Sequence, residues 1–315
     1  MGSARLVGVT VETSDAGRAN SRPPPPRGTV TFGVVWRACR PLQWIKNALL
    51  LAAPLAAGVI THGAVMRNVA VAVVAFCLVS SATYLLNDVR DREQDRVHPR
   101  KRLRPIASGA LPVRVALAIA VGLAGGGLAV AALVRPALAA VCGGYLLLMT
   151  VYSLWLRRVI VADILVIATG FVLRAAAGGI AAHVRLSTWF LVVTSCGAIF
   201  IVAGKRHAEW LGVARAGVTR ATLSRYSAAV LGAIIAATAI AASVAYAVWA
   251  FGRPEHGPWY EVSIAPVVLW FYRYGVLVGR GAGEAPEELI LRDWRLLALT
   301  AAWTALFVGG TYVGR

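Results

Sequence analysis

The chain is short of acid. Its 315 residues carry 14 Asp and Glu against 32 Lys and Arg, a net charge of +18, and only six of the acids are aspartates. Charge of either sign is scarce: 15% of residues are charged and 58% are hydrophobic, whereas a soluble domain carries about 25% charged residues. That composition excludes an ordinary soluble domain and marks a multi-span membrane protein. In a soluble chain the basic excess would suggest nucleic acid. In a membrane protein it suggests an anionic leaflet and anionic substrates, and no nucleic-acid partner is expected. Cysteine is also scarce. Cys39, Cys77, Cys142 and Cys196 lie scattered without C-x-x-C spacing, which removes a zinc site or a disulfide framework and leaves small core residues. No G-x-G-x-x-G after a strand, no P-loop and no H-E-x-x-H is present. No apolar segment with a cleavage site precedes Trp36, so no signal peptide is expected.

What is present in quantity is apolar sequence. Crossing ~30 Å of hydrocarbon takes about 20 residues. Nine stretches qualify, at roughly 42–62, 68–87, 113–134, 136–155, 162–182, 186–203, 228–251, 264–278 and 296–313. The expected architecture is all-α, a polytopic bundle of nine transmembrane helices occupying residues 36–315. Residues 1–35, with SRPPPPRG at Ser21–Gly28, are expected to form a disordered, Pro-rich tail. Trp44, Tyr152, Trp155, Trp189, Trp249, Trp259, Tyr260 and Trp294 cluster near span ends, as interfacial belts require. With the N-terminus in the cytoplasm, 25 Lys and Arg fall on the cytoplasmic side. Only Arg67, Arg135, Arg185, Arg253 and Arg315 fall on the other. The positive-inside rule therefore orients the chain N-in in the plasma membrane. Glycines at 125–127, 143–144 and 178–179 read as close helix packing points.

The scarce acids are not spread evenly. Asp88, Asp91 and Asp95 fall within eight positions, beside Asn87, where an apolar span runs into NDVRDREQDRVHPRKRLRPIASG. The offsets 87/91, 88/91 and 91/95 put these oxygens on one helical face. Such a face repels itself unless a cation sits on it. Hard oxygen ligands favour Mg²⁺, which completes its shell with water and substrate phosphate. Arg100, Lys101, Arg102 and Arg104 follow at once and suit the remaining phosphate charge. The plain alternative is a solvated helix end. Further candidates lie near other cytoplasmic ends. Asp163 opens one span, where it either caps the helix or serves the site. Arg174 lies three turns deeper and needs a partner or a phosphate. Lys205 and Arg206 close another span, and Lys46 and Asn47 sit on the first turn of the first. Tyr84 and Tyr152 can donate hydrogen bonds or belong to the aromatic belt. His98, beside Pro99, serves as a base or shapes the turn.

Asn87–Asp95 read as NDxxDxxxD, and Arg104–Gly109 as RPIASG. Together, within nine spans, they resemble the UbiA superfamily of intramembrane prenyltransferases. Five segments in order are more selective: RPLQWIKN at Arg40–Asn47, HPRKRLRPIASG at His98–Gly109, Asp163 with Arg174 ahead of AAAGG, AGKRHAE at Ala203–Glu209 and APEELILRD at Ala285–Asp293. These resemble the superfamily's decaprenyl-phosphate phosphoribosyltransferase branch, over about residues 36–313.

The resemblance implies helices around a cytoplasm-facing polar cavity that also opens sideways to lipid. It implies Mg²⁺-dependent transfer of 5-phosphoribosyl from 5-phosphoribosyl 1-diphosphate to decaprenyl phosphate, a step towards the arabinose donor of cell-wall arabinan. On that reading Asn87, Asp88, Asp91 and Asp95 hold Mg²⁺, with the three aspartates catalytic. Lys101, Arg104, Lys205 and Arg206 take the donor's phosphates, Lys46 and Arg174 a further phosphate, and Tyr152 and Asp163 complete the substrate site. One departure stands out: many superfamily members carry a second acid four residues after the first in a second motif, and position 167 here is Ile. The paired acids Glu287 and Glu288 precede Leu-Ile-Leu, unlike the loop of soluble phosphoribosyltransferases. An aromatic or quinone polyprenyltransferase on the same fold is the rival reading, and a transporter a remoter one. Lipid chain length, metal count, order of binding and homo-oligomer formation stay open.

Overall fold

A computed structural model describes residues 30–156, 160–216, 227–253 and 258–312. The Pro-rich stretch of the expected tail lies outside the described residues. Among the described residues the fold is helical, with no strand: α1 (Phe32–Cys39), a 3₁₀ segment (Pro41–Leu51), α2 (Ala52–Ala56), α3 (Gly63–Arg90), α4 (Arg92–Val97), a 3₁₀ turn (Lys101–Leu103), α5 (Val113–Val134), α6 (Pro136–Leu154), α7 (Ile160–Ala181), α8 (Thr188–Ala216), α9 (Ala228–Phe251), α10 (Trp259–Val262), α11 (Ile264–Gly279), α12 (Pro286–Arg292) and α13 (Trp294–Tyr312).

Seven of these helical runs are long and apolar enough to cross a membrane, so the expected count of nine is not reached by that criterion. The first expected span is broken into the 3₁₀ segment and the five-residue α2, because Gln43, Lys46 and Asn47 interrupt its apolar run and Pro54 lies in α2. The ninth, α13, has 19 residues but is diluted by Arg295, three threonines and two glycines. The short eighth span gains length from α10, which runs on into α11 as Trp259–Gly279.

Burial separates inner from outer helices. Half of the apolar window is buried in α3 and in α7, against 17% in α5 and in α9. A helix that is apolar all round and buried inside a bundle sits at its centre, so α3 and α7 form the inner pair. They are the helices that carry Asn87, Asp88, Asp163 and Arg174. Phe76 and Val79 of α3, Tyr145 of α6 and Ala177 of α7 share one buried cluster. Two glycines permit the closest approaches. A Cβ on Gly127 of α5 would sit 2.6 Å from a Val79 methyl of α3. One on Gly178 of α7 would sit 1.9 Å from the Leu50 carbonyl, so only glycine lets the 3₁₀ segment lie on α7.

Candidate active site

The acid motif straddles a helix junction. Asn87 and Asp88 end α3, Asp91 stands between helices with φ −86 and ψ 4, and Asp95 lies in α4. The junction does not break the hydrogen-bond ladder: Asp91 N donates to Asn87 O at 2.9 Å and Asp95 N to Asp91 O at 2.8 Å. The shared face expected from the spacing therefore survives. All three aspartates are buried, with 3%, 7% and 3% exposure for Asp88, Asp91 and Asp95.

Burying carboxylates demands charge partners, and two arginines supply them. Arg104 Nη1 lies 2.6 Å from Asp95 Oδ2 and 3.2 Å from Asp88 Oδ1. It reaches them because the chain after it folds back. Ile106 and Leu111 are buried with Leu85 of α3 and Ala116 and Ala120 of α5, and Gly109 turns the chain at φ 84. Arg40, which the sequence reading did not single out, also donates to Asp88 Oδ1. It joins α1 to the 3₁₀ segment at φ 54, a left-handed conformation rare for a residue with a side chain, and its guanidinium lies 5.5 Å over the Tyr84 ring. Asn87 is tied to α6, its Oδ1 accepting from Ser153 Oγ at 3.1 Å. His98 Nδ1 accepts from the amides of Arg100 and Lys101 at 3.2 and 3.3 Å, so it shapes the turn that bears Lys101.

The donor set suits a hard cation only in part. Among the described residues no three His, Cys, Asp or Glu side chains group closely enough to hold a metal. Oxygens of Asp88 and Asp95 nevertheless converge on one cationic nitrogen. An ion satisfied by one or two carboxylates, with water and phosphate oxygens filling its shell, fits that arrangement.

A second cluster forms between α7 and α8. Arg206 forks onto Asp163, Nε to Oδ2 at 2.5 Å and Nη2 to Oδ1 at 2.9 Å, and Tyr152 also donates to Oδ1. Arg206 Nη1 reaches Glu209 Oε2 at 2.6 Å. Asp163 is thus more than a helix cap. Arg206, expected to meet the donor's phosphates, is engaged by two carboxylates.

Arg174 departs from expectation. It is 5% exposed and donates to Asn47 Oδ1 at 2.9 Å, Gly170 O at 2.9 Å and Tyr145 Oη at 2.7 Å, with its guanidinium 4.7 Å over the Tyr145 ring. Protein groups satisfy it without a phosphate, and it pins the 3₁₀ segment to α7. Lys46 faces a different set. Its Nζ donates to Gln43 Oε1 at 2.5 Å and lies 3.9 Å from Glu287 Oε1, and it feels the charges of Lys205, Arg174 and Arg40. Lys205 is half-buried on α8.

An inner helix pair with buried acids, ringed by cations at one end, defines an integral membrane enzyme that handles phosphorylated substrates. The chain belongs to the UbiA prenyltransferase family, whose model matches residues 48–295. It is 42% identical over 303 residues to the decaprenyl-phosphate phosphoribosyltransferase of Corynebacterium glutamicum, covering 93% of this chain and 91% of that one. It is 42% identical over 286 residues to the enzyme of the same name from Mycobacterium tuberculosis, covering 89% and 94%. Its fold is similar to that of a UbiA homologue from Archaeoglobus fulgidus solved with GPP and Mg²⁺. The TM-score is 0.67 at 18% identity, covering 89% of this chain and 99% of that one.

Proposed function

We propose that the protein transfers 5-phosphoribosyl from 5-phosphoribosyl 1-diphosphate to the phosphate of decaprenyl phosphate, releasing diphosphate. Its similarity to two enzymes of that name over about nine-tenths of each chain supports the reading. The observation that carries it is the set of cations gathered at the acid motif and around Lys46. Arg40 and Arg104 face the acid motif, and Lys46 and Lys205 share one electrostatic neighbourhood. So many cations suit a donor with phosphate at both ends of a sugar better than a prenyl diphosphate with one charged end.

Asn87, Asp88, Asp91 and Asp95 would hold Mg²⁺ through a shell shared with the diphosphate, and the ion would supply charge neutralisation for the leaving group. Arg40 and Arg104, now neutralising Asp88 and Asp95, would turn part of their hydrogen bonding to the diphosphate oxygens as charge develops there. Lys46, Lys101 and Lys205 would take the remaining phosphate charge. A phosphate oxygen of the lipid attacks C1 of the ribose. The C1–O bond to diphosphate breaks, and its electron pair leaves with the diphosphate. The nucleophile is already an anion, so no side chain need remove a proton. Catalysis is positioning and electrostatics. The site faces the cytoplasm in this reading, where the donor is made, and the product feeds the arabinose donor of cell-wall arabinan.

The test is direct. Purified protein, Mg²⁺, labelled 5-phosphoribosyl 1-diphosphate and decaprenyl phosphate should yield labelled lipid on extraction. No labelled lipid, together with transfer from geranyl diphosphate to an aromatic acceptor, would establish the rival prenyltransferase instead.

A further inference from the structure

Beside the cations of the candidate site stands an acid that phosphate binding does not explain. Glu287, in α12, accepts a hydrogen bond from Gln43 Nε2 at 3.2 Å and lies 3.9 Å from Lys46 Nζ. Lys46 donates to the other end of the same amide, Gln43 Oε1, at 2.5 Å. These three side chains bridge the 3₁₀ segment and the connection between α11 and α13. That connection is anchored on both sides of Glu287. On one side the chain turns through Gly281 and Gly283 at φ 90 and 159. There a Cβ on Gly283 would lie 3.1 Å from Val278 and 3.3 Å from Ala208. On the other, Asp293 binds Arg273 Nη2 at 2.5 Å and accepts from the Leu296 amide at 3.0 Å. Glu287 is therefore held in place, with its side chain 24% exposed. Burial alone would push its carboxyl up. Lys46, its own backbone amide, Gln43 and Lys205 together hold it below the ordinary carboxylate range, so it is ionised at neutral pH.

A carboxylate at this place is hostile to two of the groups that the candidate substrates carry. A phosphate set against it meets like charge, and an alkyl chain would strip its water without replacing the hydrogen bonds. A hydroxyl suits it. A carboxylate accepts from two O–H donors at once, and the neighbouring amide offers both a donor and an acceptor. We propose that Glu287, with Gln43, is a specificity-determining pair that binds the ribose hydroxyls of the donor and disfavours diphosphates without them. The inference rests on the phosphoribosyl-donor reading above. Glu287 makes and breaks no bond in the reaction. Its effect is discrimination: a site built to hydrogen-bond a hydroxyl leaves its own polar groups unpaired when an analogue lacks one.

The experiment measures Mg²⁺-dependent affinities of three ligands, 5-phosphoribosyl 1-diphosphate, inorganic diphosphate and geranyl diphosphate. It compares wild-type protein with Glu287→Ala, Glu287→Gln and Gln43→Ala. Losing a hydrogen bond to a charged group costs about tenfold or more in affinity, so Glu287→Ala should weaken the ribosyl ligand by at least that factor. Inorganic and geranyl diphosphate should bind unchanged or tighter. Glu287→Gln, which keeps an acceptor carbonyl, should recover part of the loss, and Gln43→Ala should shift the same ligand by less. In turnover the loss should fall mainly on KM for the donor. These two milder variants carry the test should Glu287→Ala fail to fold. Equal changes for all three ligands, or none for the ribosyl ligand, would overturn the proposal. Wild-type protein that binds geranyl diphosphate but not the ribosyl donor would instead overturn the donor reading itself.

Discussion

Replacing Arg174 by Met separates two accounts of a charge buried among helices. If the guanidinium is a fixture of the bundle, its loss should register in the empty protein. The side chain is 5% exposed and donates to three protein oxygens, of Asn47, Gly170 and Tyr145. Methionine fills similar volume but offers no donor. The Gly170 carbonyl keeps whatever bond its helix gives it, whereas the Asn47 amide oxygen and the Tyr145 hydroxyl lose a partner inside the bundle. A buried polar group left unpaired costs about 1–3 kcal/mol. Removing the guanidinium also removes the cost of keeping a charge out of water, which offsets part of that loss. The net expectation is a destabilisation of about 2–4 kcal/mol. The assay is thermal or denaturant unfolding in detergent without ligand, followed by the same measurement with Mg²⁺ and the donor. The variant should unfold clearly earlier than wild type, and the added ligand should stabilise both proteins to a similar degree. Lysine at 174 should rescue little, since one ammonium cannot reproduce the guanidinium fork. An Arg174→Met protein as stable as wild type when empty, but no longer stabilised by the donor, would refute the reasoning and restore Arg174 as a phosphate ligand.

Three further outcomes are expected. Asp91→Asn keeps the shape at the junction of α3 and α4 but removes one carboxylate charge. Activity should fall by about 100-fold or more while the melting temperature in detergent stays near wild type, and normal turnover with Mg²⁺ would move the site elsewhere. Gly178→Ala sets a methyl carbon 1.9 Å from the Leu50 carbonyl. Overpacking a bundle costs about 1–3 kcal/mol, and a backbone clash belongs at or above the top of that range, so a sharp loss of folded yield should follow; wild-type yield would show that the 3₁₀ segment can shift aside. Finally, cysteines introduced at the exposed positions Ser108 and Arg253 report orientation in a background lacking the native four. A membrane-impermeant thiol reagent on intact cells should label position 253 and spare 108, and the reverse would turn the proposed site away from the cytoplasm.

Much of this was readable from the sequence, and the reasons differ by element. The expected limits of 113–134 and 228–251 coincide with α5 and α9, because long apolar runs bounded by Pro112, Arg135, Ser227 and Gly252 leave little choice of where a helix starts and stops. The shared face of the acid motif was legible because i, i+3 and i+4 spacing is local. What was not legible is what depends on the rest of the fold. Nothing around Arg40 announces a left-handed backbone aimed at Asp88, some 48 positions away. The partners of Arg174 come from two other elements, 127 and 29 positions distant, so the sequence shows only a charge in want of company. Glu287 read as half of an acidic pair in a loop, since its neighbours Gln43 and Lys46 lie at the far end of the chain. A 3₁₀ segment and an α-helix share the same apolar residues, and the close contact of the 3₁₀ segment with Gly178 lies more than a hundred positions away.

That choice of helix type has a consequence for reach. A 3₁₀ helix rises about 2.0 Å per residue and an α-helix about 1.5 Å. The eleven residues of Pro41–Leu51 and the five of Ala52–Ala56 therefore extend to roughly 30 Å, close to the full thickness of a hydrocarbon core. As α-helix throughout they would reach only about 24 Å. Stretching the backbone gives sixteen residues the length of about twenty in an α-helix. It also sets a threefold register, in which Asn47, Leu50 and Ala53 are buried together while Gln43 and Lys46 keep company one turn apart. A drop from 3₁₀ to α geometry would shorten the element and offset Lys46 from Gln43 by about 60° around the axis in the same movement.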